Sequence, residues 1–288
     1  MFVRTEVAMN TLVTIRVITA ETPDANAAID RAFGWFHEIE CRCSRFDPAS
    51  ELMQLTAGDP APVSPMLYEA VRFALMVAEM SDGAFDPTVG RRMQALGFDR
   101  EHRTGEIVRQ PDDESVSYRD VRLDSESRTI SLLRPLTLDL GGVAKGLAVD
   151  AAVRELEPLE NFVIDAGGDL YLGGLNERGA PWSVGIRHPR HDGETIASLH
   201  VSNQAVCTSG DYERANHVLD PRTGSSAQTV ASATVVGPNA MLADALATAV
   251  FVLGPGAGID LLDRVGLEGL IVTPALQQHA TRGLPRAA

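Results

Sequence analysis

Positive charge is in short supply in this sequence: 25 Lys and Arg stand against 39 Asp and Glu, a formal net charge of −14. That deficit argues against a general binder of nucleic acid or anionic membrane surfaces, both of which need a basic face. Cysteine is scarcer. Cys41, Cys43 and Cys207 are too few and too badly spaced for a zinc cluster or a disulfide framework, and a reducing compartment fits them. Long apolar runs are missing too. No segment approaches the roughly 20 residues of a membrane span, and "MFVRTEVAMNTLVTIRV" lacks a continuous apolar stretch and a small-residue cleavage site. As given, the sequence therefore reads as cytoplasmic, and an exported or anchored form would require a signal removed from a longer precursor. There is neither a clean linker nor an internal repeat. A chain of 288 residues can form one large domain or two intertwined subdomains with ample core.

What is present is a mixture of helical and strand periods. "TLVTIRVI" (Thr11–Ile18) alternates with β-branched residues and pairs naturally with Phe2–Val7. Thr22-Pro23 starts a helix with Ala28, Ala32, Phe36, Ile39 and Cys43 on one face. Ser64-Pro65 starts a second, with Leu67, Val71, Ala74, Leu75 and Ala78 as its buried stripe and Gly83 just past its end. Residues Glu101 to Ser117 are polar and read as an excursion loop. Strands are expected around Val121 and Ile130, and at Phe162–Ile164, Leu170–Leu172, Trp182–Ile186, Ile196–Val201, Val230–Val236 and Leu270–Thr273. Helices are expected near Met241–Leu253 and Gly256–Val265. This order, without strict β-α alternation, points to an α+β fold of mixed sheets packed with helices rather than a doubly wound sheet. Residues 1–276 are read as the folded domain and 277–288 as a loosely held tail.

"LDLGGVAKG" (Leu138–Gly146) places two glycines between an apolar run and a helix opened by Lys145. It is not a P-loop, because Lys145 is followed by Gly146 and Leu147 rather than Ser or Thr. Nor does it carry the G-x-G-x-x-G spacing of a dinucleotide fingerprint. Amides at a helix N-terminus still favour a phosphate; the simpler reading is a tight strand-to-helix turn. In "MLADALATAVFVLG", Asp244 and Thr248 are four residues apart and share a helix face. Both are hard oxygen donors suited to Mg²⁺, although Thr248 could equally pack in the core. "HVLDPRTG" offers His217 and Asp220 as base or orienter, or only an Asp-Pro turn with Arg222 in solvent. Each signal is weak alone.

The ordered set is not. Met9-Asn10-Thr11, "SRFDPASEL", "DGAFDPTVG", "LDLGGVAKG", "VIDAGGDLYLGG", "PWSVGIRHPR", "TSGDYER", "HVLDPRTG" and "ADALATAVFVLG" resemble the FAD:protein FMN transferase (ApbE-type) family, in the family's order, over about residues 5 to 275. The resemblance implies a T-fold-like single unit of two intertwined subdomains. It also implies a Mg²⁺-dependent enzyme that moves FMN from FAD onto a threonine, or sometimes serine, of a target flavoprotein and releases AMP. Position by position, Asp244 and Thr248 fall where the family holds Mg²⁺, with the Gly142 carbonyl a third ligand. Met9, Phe46, Ala84, Phe85, Asp86, Asp139, Lys145 and Ala227 fall where the family contacts FAD. His217 matches the histidine held to activate the acceptor hydroxyl, so His217 and Asp244 are the catalytic candidates. The implied partners are FAD and a flavoprotein with a Ser/Thr flavinylation motif, with no nucleic acid and no membrane span, and the chain is a monomer or homodimer. Two positions depart from the pattern: Asn10 stands where glycine is usual, and Phe46 where tyrosine is common. The competing expectations are an FAD pyrophosphatase releasing free FMN and AMP, and a non-catalytic FAD-binding protein.

Overall fold

The computed structural model describes residues 1–98, 107, 116–212 and 218–287. In chain order its elements begin with β1 (Phe2–Ala8), β2 (Thr11–Val17), α1 (Pro23–Cys43), β3 (Ala61–Pro62) and α2 (Pro65–Met80). Then come α3 (Gly90–Ala95), β4 (Val121–Asp124), β5 (Thr129–Leu132), α4 (Gly141–Leu156), β6 (Phe162–Ala166) and β7 (Asp169–Gly173). The chain continues through β8 (Trp182–Arg187), β9 (Thr195–Val201), β10 (Gln204–Gly210), β11 (Leu219–Asp220) and β12 (Ser225–Ser226). It closes with β13 (Ser232–Gly237), α5 (Ala240–Leu253), α6 (Pro255–Val265), β14 (Glu268–Val272) and β15 (Gln278–Ala280). Except for Ile107 and residues 116–117, the expected excursion loop lies outside the described residues.

The helix starts follow from their caps. The Thr22 hydroxyl accepts from the Ala25 N–H at 3.1 Å and Pro23 occupies the first turn of α1. Ser64 does the same for Leu67 at 3.2 Å, again with proline at the start. Each pairing satisfies a donor that the helix leaves open. On α1, Ala28, Ala32, Phe36, Ile39 and Cys43 are all buried, which is the stripe their spacing predicts.

The main sheet has eight strands in the order β1-β2-β6-β7-β10-β13-β14-β15, each neighbouring pair antiparallel. Its two faces use alternate residues. Ile164, Cys207, Val235 and Ile271 belong to the core beneath the helices, whereas Val163, Val206, Val236, Leu270 and Val272 pack with Val184, Ile186, Leu199 and Val201 of the β8–β9 hairpin. The result is helices, sheet and hairpin in three layers, with β3-β5-β4 forming a small separate sheet. An antiparallel sheet with helices on one face is the α+β class that the element order predicts. Residues beyond 276 depart from the expectation of a loose tail. β15 pairs with β14, Leu284 is buried in the hairpin layer, and the His200 N–H donates to the Pro285 carbonyl at 2.8 Å.

Helices α4 and α5 meet at close range. A Cβ on Gly146 would lie 2.4 Å from Met241 Cα and 2.6 Å from the Ala240 oxygen, so only glycine lets the two helices approach this closely. The obstructing atoms are backbone and cannot rotate away. Gly146→Ala is therefore expected to destabilise the fold by about 1–3 kcal/mol, as overpacking does, measured as a lowered denaturation midpoint in urea.

One turn further along α4, the Asp150 carboxylate accepts from the Ala240 N–H at 2.7 Å and the Met241 N–H at 3.0 Å, capping α5 from outside its own segment. Burial pushes the Asp150 pKa up to about 6, against the two N–H donors and Arg154, which favour the charged form. An unfolded aspartate titrates near 3.9. Between those values the folded state binds the extra proton, so this contribution to stability is present below about pH 4 and is lost as pH rises to about 6. Asp150→Asn is expected to remove that slope, a change on the order of 2 kcal/mol between pH 4 and 7. Paired denaturation curves across that range would show it. Loss of one backbone bond would lower the variant's curve without tilting it.

Candidate active site

A cavity of ≈ 710 Å³ opens where pieces distant in sequence converge. Its lining includes the β1–β2 turn, the end of α1, the loop after α2, the start of α4, the β6–β7 turn, β10, Val218, Leu219, Pro221 and one face of α5. Met9, Phe46, Ala84, Phe85, Asp86, Asp139, Gly142, Lys145, Asp244 and Thr248 all line it. Ala227 is not among the lining residues; its N–H donates to the carbonyl of Val218, which is. His217 lies outside the described residues.

The local backbone explains the residue types. Met9 and Asn10 both have positive φ, 50° and 60°, as a two-residue turn between paired strands requires. Asparagine tolerates the left-handed region better than most residues, which accounts for Asn10 where glycine is usual. Opposite this turn a Cβ at Gly167 would come 2.2 Å from Thr11 Oγ1, so the β6–β7 turn fits there only without a side chain.

Gly141 and Gly142 are not left-handed, which corrects the reading of them as a turn demanding glycine geometry. They are the first residues of α4. A Cβ on Gly142 would fall 3.0 Å from the Phe85 ring and 3.3 Å from Thr248 Oγ1, so glycine leaves a small cradle between an aromatic ring and a hydroxyl. The Gly141 N–H donates to Asp139 Oδ1 at 2.8 Å.

The charges are tightly arranged. Lys145 Nζ sits 2.6 Å from Asp169 Oδ2 and 3.1 Å from Asp244 Oδ2, with both carboxylates almost fully buried. Burial works against the ammonium charge, but the Asp169 and Asp244 carboxylates outweigh it and hold the Lys145 pKa above the ordinary lysine range. Asp139 Oδ2 accepts from Arg45 Nε at 2.6 Å, and the Arg45 guanidinium lies 4.0 Å from the centroid of the Phe46 ring. Asp86 is 8% exposed and accepts from the Thr88 N–H and hydroxyl and from the Tyr118 N–H. Burial raises its pKa, and the Thr88 and Tyr118 donors pull the other way. Among the described lining residues, five carboxylates (Glu40, Asp86, Asp139, Asp169, Asp244) face two cations, Arg45 and Lys145.

Arg45 and Asp169 are the site residues that sequence reasoning missed. Both lie inside quoted motifs, "SRFDPASEL" and "VIDAGGDLYLGG", but an arginine beside an aromatic and an aspartate after two glycines read as ordinary loop chemistry. Arg222, expected in solvent, is exposed and there pairs with Asp220 at 2.9 Å. Although partial burial opposes it, that pairing lowers the Asp220 pKa, which makes Asp220 a poor base.

Asp244, the Thr248 hydroxyl and the backbone beside Gly142 are hard oxygen donors around the cradle, and such a set suits Mg²⁺. Among the described residues no cluster of three or more His, Cys, Asp or Glu is placed to hold a metal, so a cation here would rest on one carboxylate and neutral oxygens. No described helix is long and apolar enough to cross a membrane.

The model of the ApbE family matches residues 9–271. An FAD:protein FMN transferase of Treponema pallidum is 33% identical, over 98% of this chain and 87% of its own length. One from Vibrio cholerae is 32% identical, over 88% and 80%. Among solved structures, the ApbE protein of Thermotoga maritima superposes with a TM-score of 0.86 at 29% identity, covering 98% of this chain and 97% of that one. The flavin transferase ApbE of Vibrio cholerae gives 0.85 at 27%, with the same coverage.

Proposed function

The chain belongs to the ApbE family, and we propose that it is a Mg²⁺-dependent FAD:protein FMN transferase whose acceptor is a threonine or serine hydroxyl. The acceptor oxygen attacks the FMN-side phosphorus of FAD, the bond to the AMP oxygen breaks, and AMP departs. The hydroxyl proton passes to a base, for which His217 is the candidate. The observation that carries this reading is the Gly142 cradle, where Asp244 and Thr248 of α5 meet the start of α4 beside the Phe85 ring.

Asp244, the Thr248 hydroxyl and the Gly142 carbonyl would hold Mg²⁺, which when bound supplies charge neutralisation to the pyrophosphate and the leaving phosphate. The rest is positioning, the main resource in phosphoryl-type transfer. Met9, Phe46, Ala84 and Phe85 offer apolar surface to the flavin rings. Asp86 fixes the loop that carries Phe85, and Asp139 fixes the start of α4. Asp169 and Lys145 keep the Asp244 carboxylate oriented. Ala227 supports this wall from behind Val218.

The test mixes the protein with FAD, Mg²⁺ and a candidate acceptor, followed by whole-protein mass spectrometry. An acceptor heavier by one FMN, with AMP released, is the expected result. Free FMN with an unmodified acceptor would identify a pyrophosphatase, and FAD bound but unchanged would identify a carrier.

A further inference from the structure

We propose that Arg45 binds the FAD pyrophosphate, a role that rests on the FAD reading of the cavity. Its side chain is 5% exposed, yet it lines the cavity. Nε is committed to Asp139 Oδ2 at 2.6 Å and Nη1 to the Phe98 carbonyl at 2.6 Å. The N–H groups of Nη2 have no hydrogen-bond partner among the described residues. Because Arg45 lines the cavity, these donors are available to the oxygen acceptors of a ligand bound there.

A second open donor stands nearby. Asp139 joins Arg45 to the Gly141 N–H, and the next amide, that of Gly142, has no described partner. Gly142 lies at the start of a helix of 16 residues, whose positive end favours an anion. Two sets of unused donors therefore flank Asp139, one on a side chain and one on the backbone. Asp139 already balances the arginine's charge, so the ligand is recognised by directed N–H bonds as much as by Coulomb attraction. A phosphate oxygen meets both demands, because guanidinium N–H groups pair with phosphate in a fixed fork geometry.

The alternative is that Arg45 merely props the Phe46 ring, and the two roles separate by ligand. Riboflavin has the flavin rings without phosphate. Titration of the full chain, with tryptophan or flavin fluorescence as the readout, is expected to show FAD affinity falling roughly 10–100-fold in Arg45→Met while riboflavin affinity stays within about twofold. Arg45→Lys keeps the charge but loses the fork, and should recover only part of the loss. If FAD and riboflavin weaken together, Arg45 is a prop and the proposal is overturned. Unchanged FAD affinity in Arg45→Met overturns it equally. Should Arg45→Met fail to fold, Arg45→Lys decides by the same ratio of the two ligands. Failure of the wild-type chain to bind FAD would instead sink the reading of the cavity itself, a distinct outcome.

Discussion

Protein stripped of divalent metal is expected to transfer no FMN, and Asp244→Ala is expected to lose on the order of 10²–10³ in rate at ordinary Mg²⁺. The reason lies in the charge balance of the cavity. Among the described lining residues five carboxylates face two cations, and both cations are already engaged, Lys145 by Asp169 and Asp244, Arg45 by Asp139. The pyrophosphate of FAD brings about two further negative charges. Like charges about 4 Å apart repel by about 4 kcal/mol at an effective dielectric near 20. A divalent cation is the simplest remedy, and Asp244 is the charged ligand proposed for it. EDTA should stop transfer and Mg²⁺ restore it, while some FAD stays bound through its rings. The measurement is acceptor mass against time, with circular dichroism to verify that the variant folds. Full flavinylation without any divalent ion, or undiminished turnover by Asp244→Ala, would make Asp244 and Thr248 ordinary helix residues.

His217→Ala is the second large effect. Loss of a general base costs roughly 10²–10⁴ in rate, so transfer at saturating FAD should fall by that factor while FAD affinity changes little. His217 itself lies outside the described residues, but Val218 and Leu219, which come directly after it, line the cavity. The obvious substitute, Asp220, is held by Arg222 at 2.9 and 3.0 Å and is a weaker base for it. Single-turnover rates and an FAD titration on the same variant separate the two roles. A collapse of FAD affinity with normal residual turnover would make His217 a binding residue.

Most of the helical frame was legible because its signals are local. Thr22-Pro23 and Ser64-Pro65 announce their helices, and the apolar stripes after them end up buried except for Leu75, which is half-buried. The Asp244/Thr248 pair was legible for the same reason, since four residues on a helix is one turn. Strand β10 was not. Gln204–Gly210 packs on both faces and carries Cys, Thr and Ser among small residues, so it shows no alternation. β15 is a short edge strand with a polar sequence, and only its pairing with β14 defines it. Arg45 and Asp169 were invisible for a different reason. Their meaning depends on partners outside their own segments, Asp139 for one and Lys145 for the other. No spacing rule reaches that distance.

The closure of α4 against α5 has a bearing on how the molecule matures. Asp150 holds the first amides of α5, Gly146 sets the helix spacing, and Lys145 reaches across to Asp244. Both walls of the cradle thus depend on a contact between residues 99 positions apart. Strands β6, β7, β10 and β13 of the main sheet and the β8–β9 hairpin all come between them in the chain. Such long-range closure is entropically expensive and comes late in folding. An incomplete chain on the ribosome, or one opened at this seam, therefore has no cradle to offer. Ligand can be captured only by the finished molecule, and every bit of its affinity then adds to the free energy holding the two helices together.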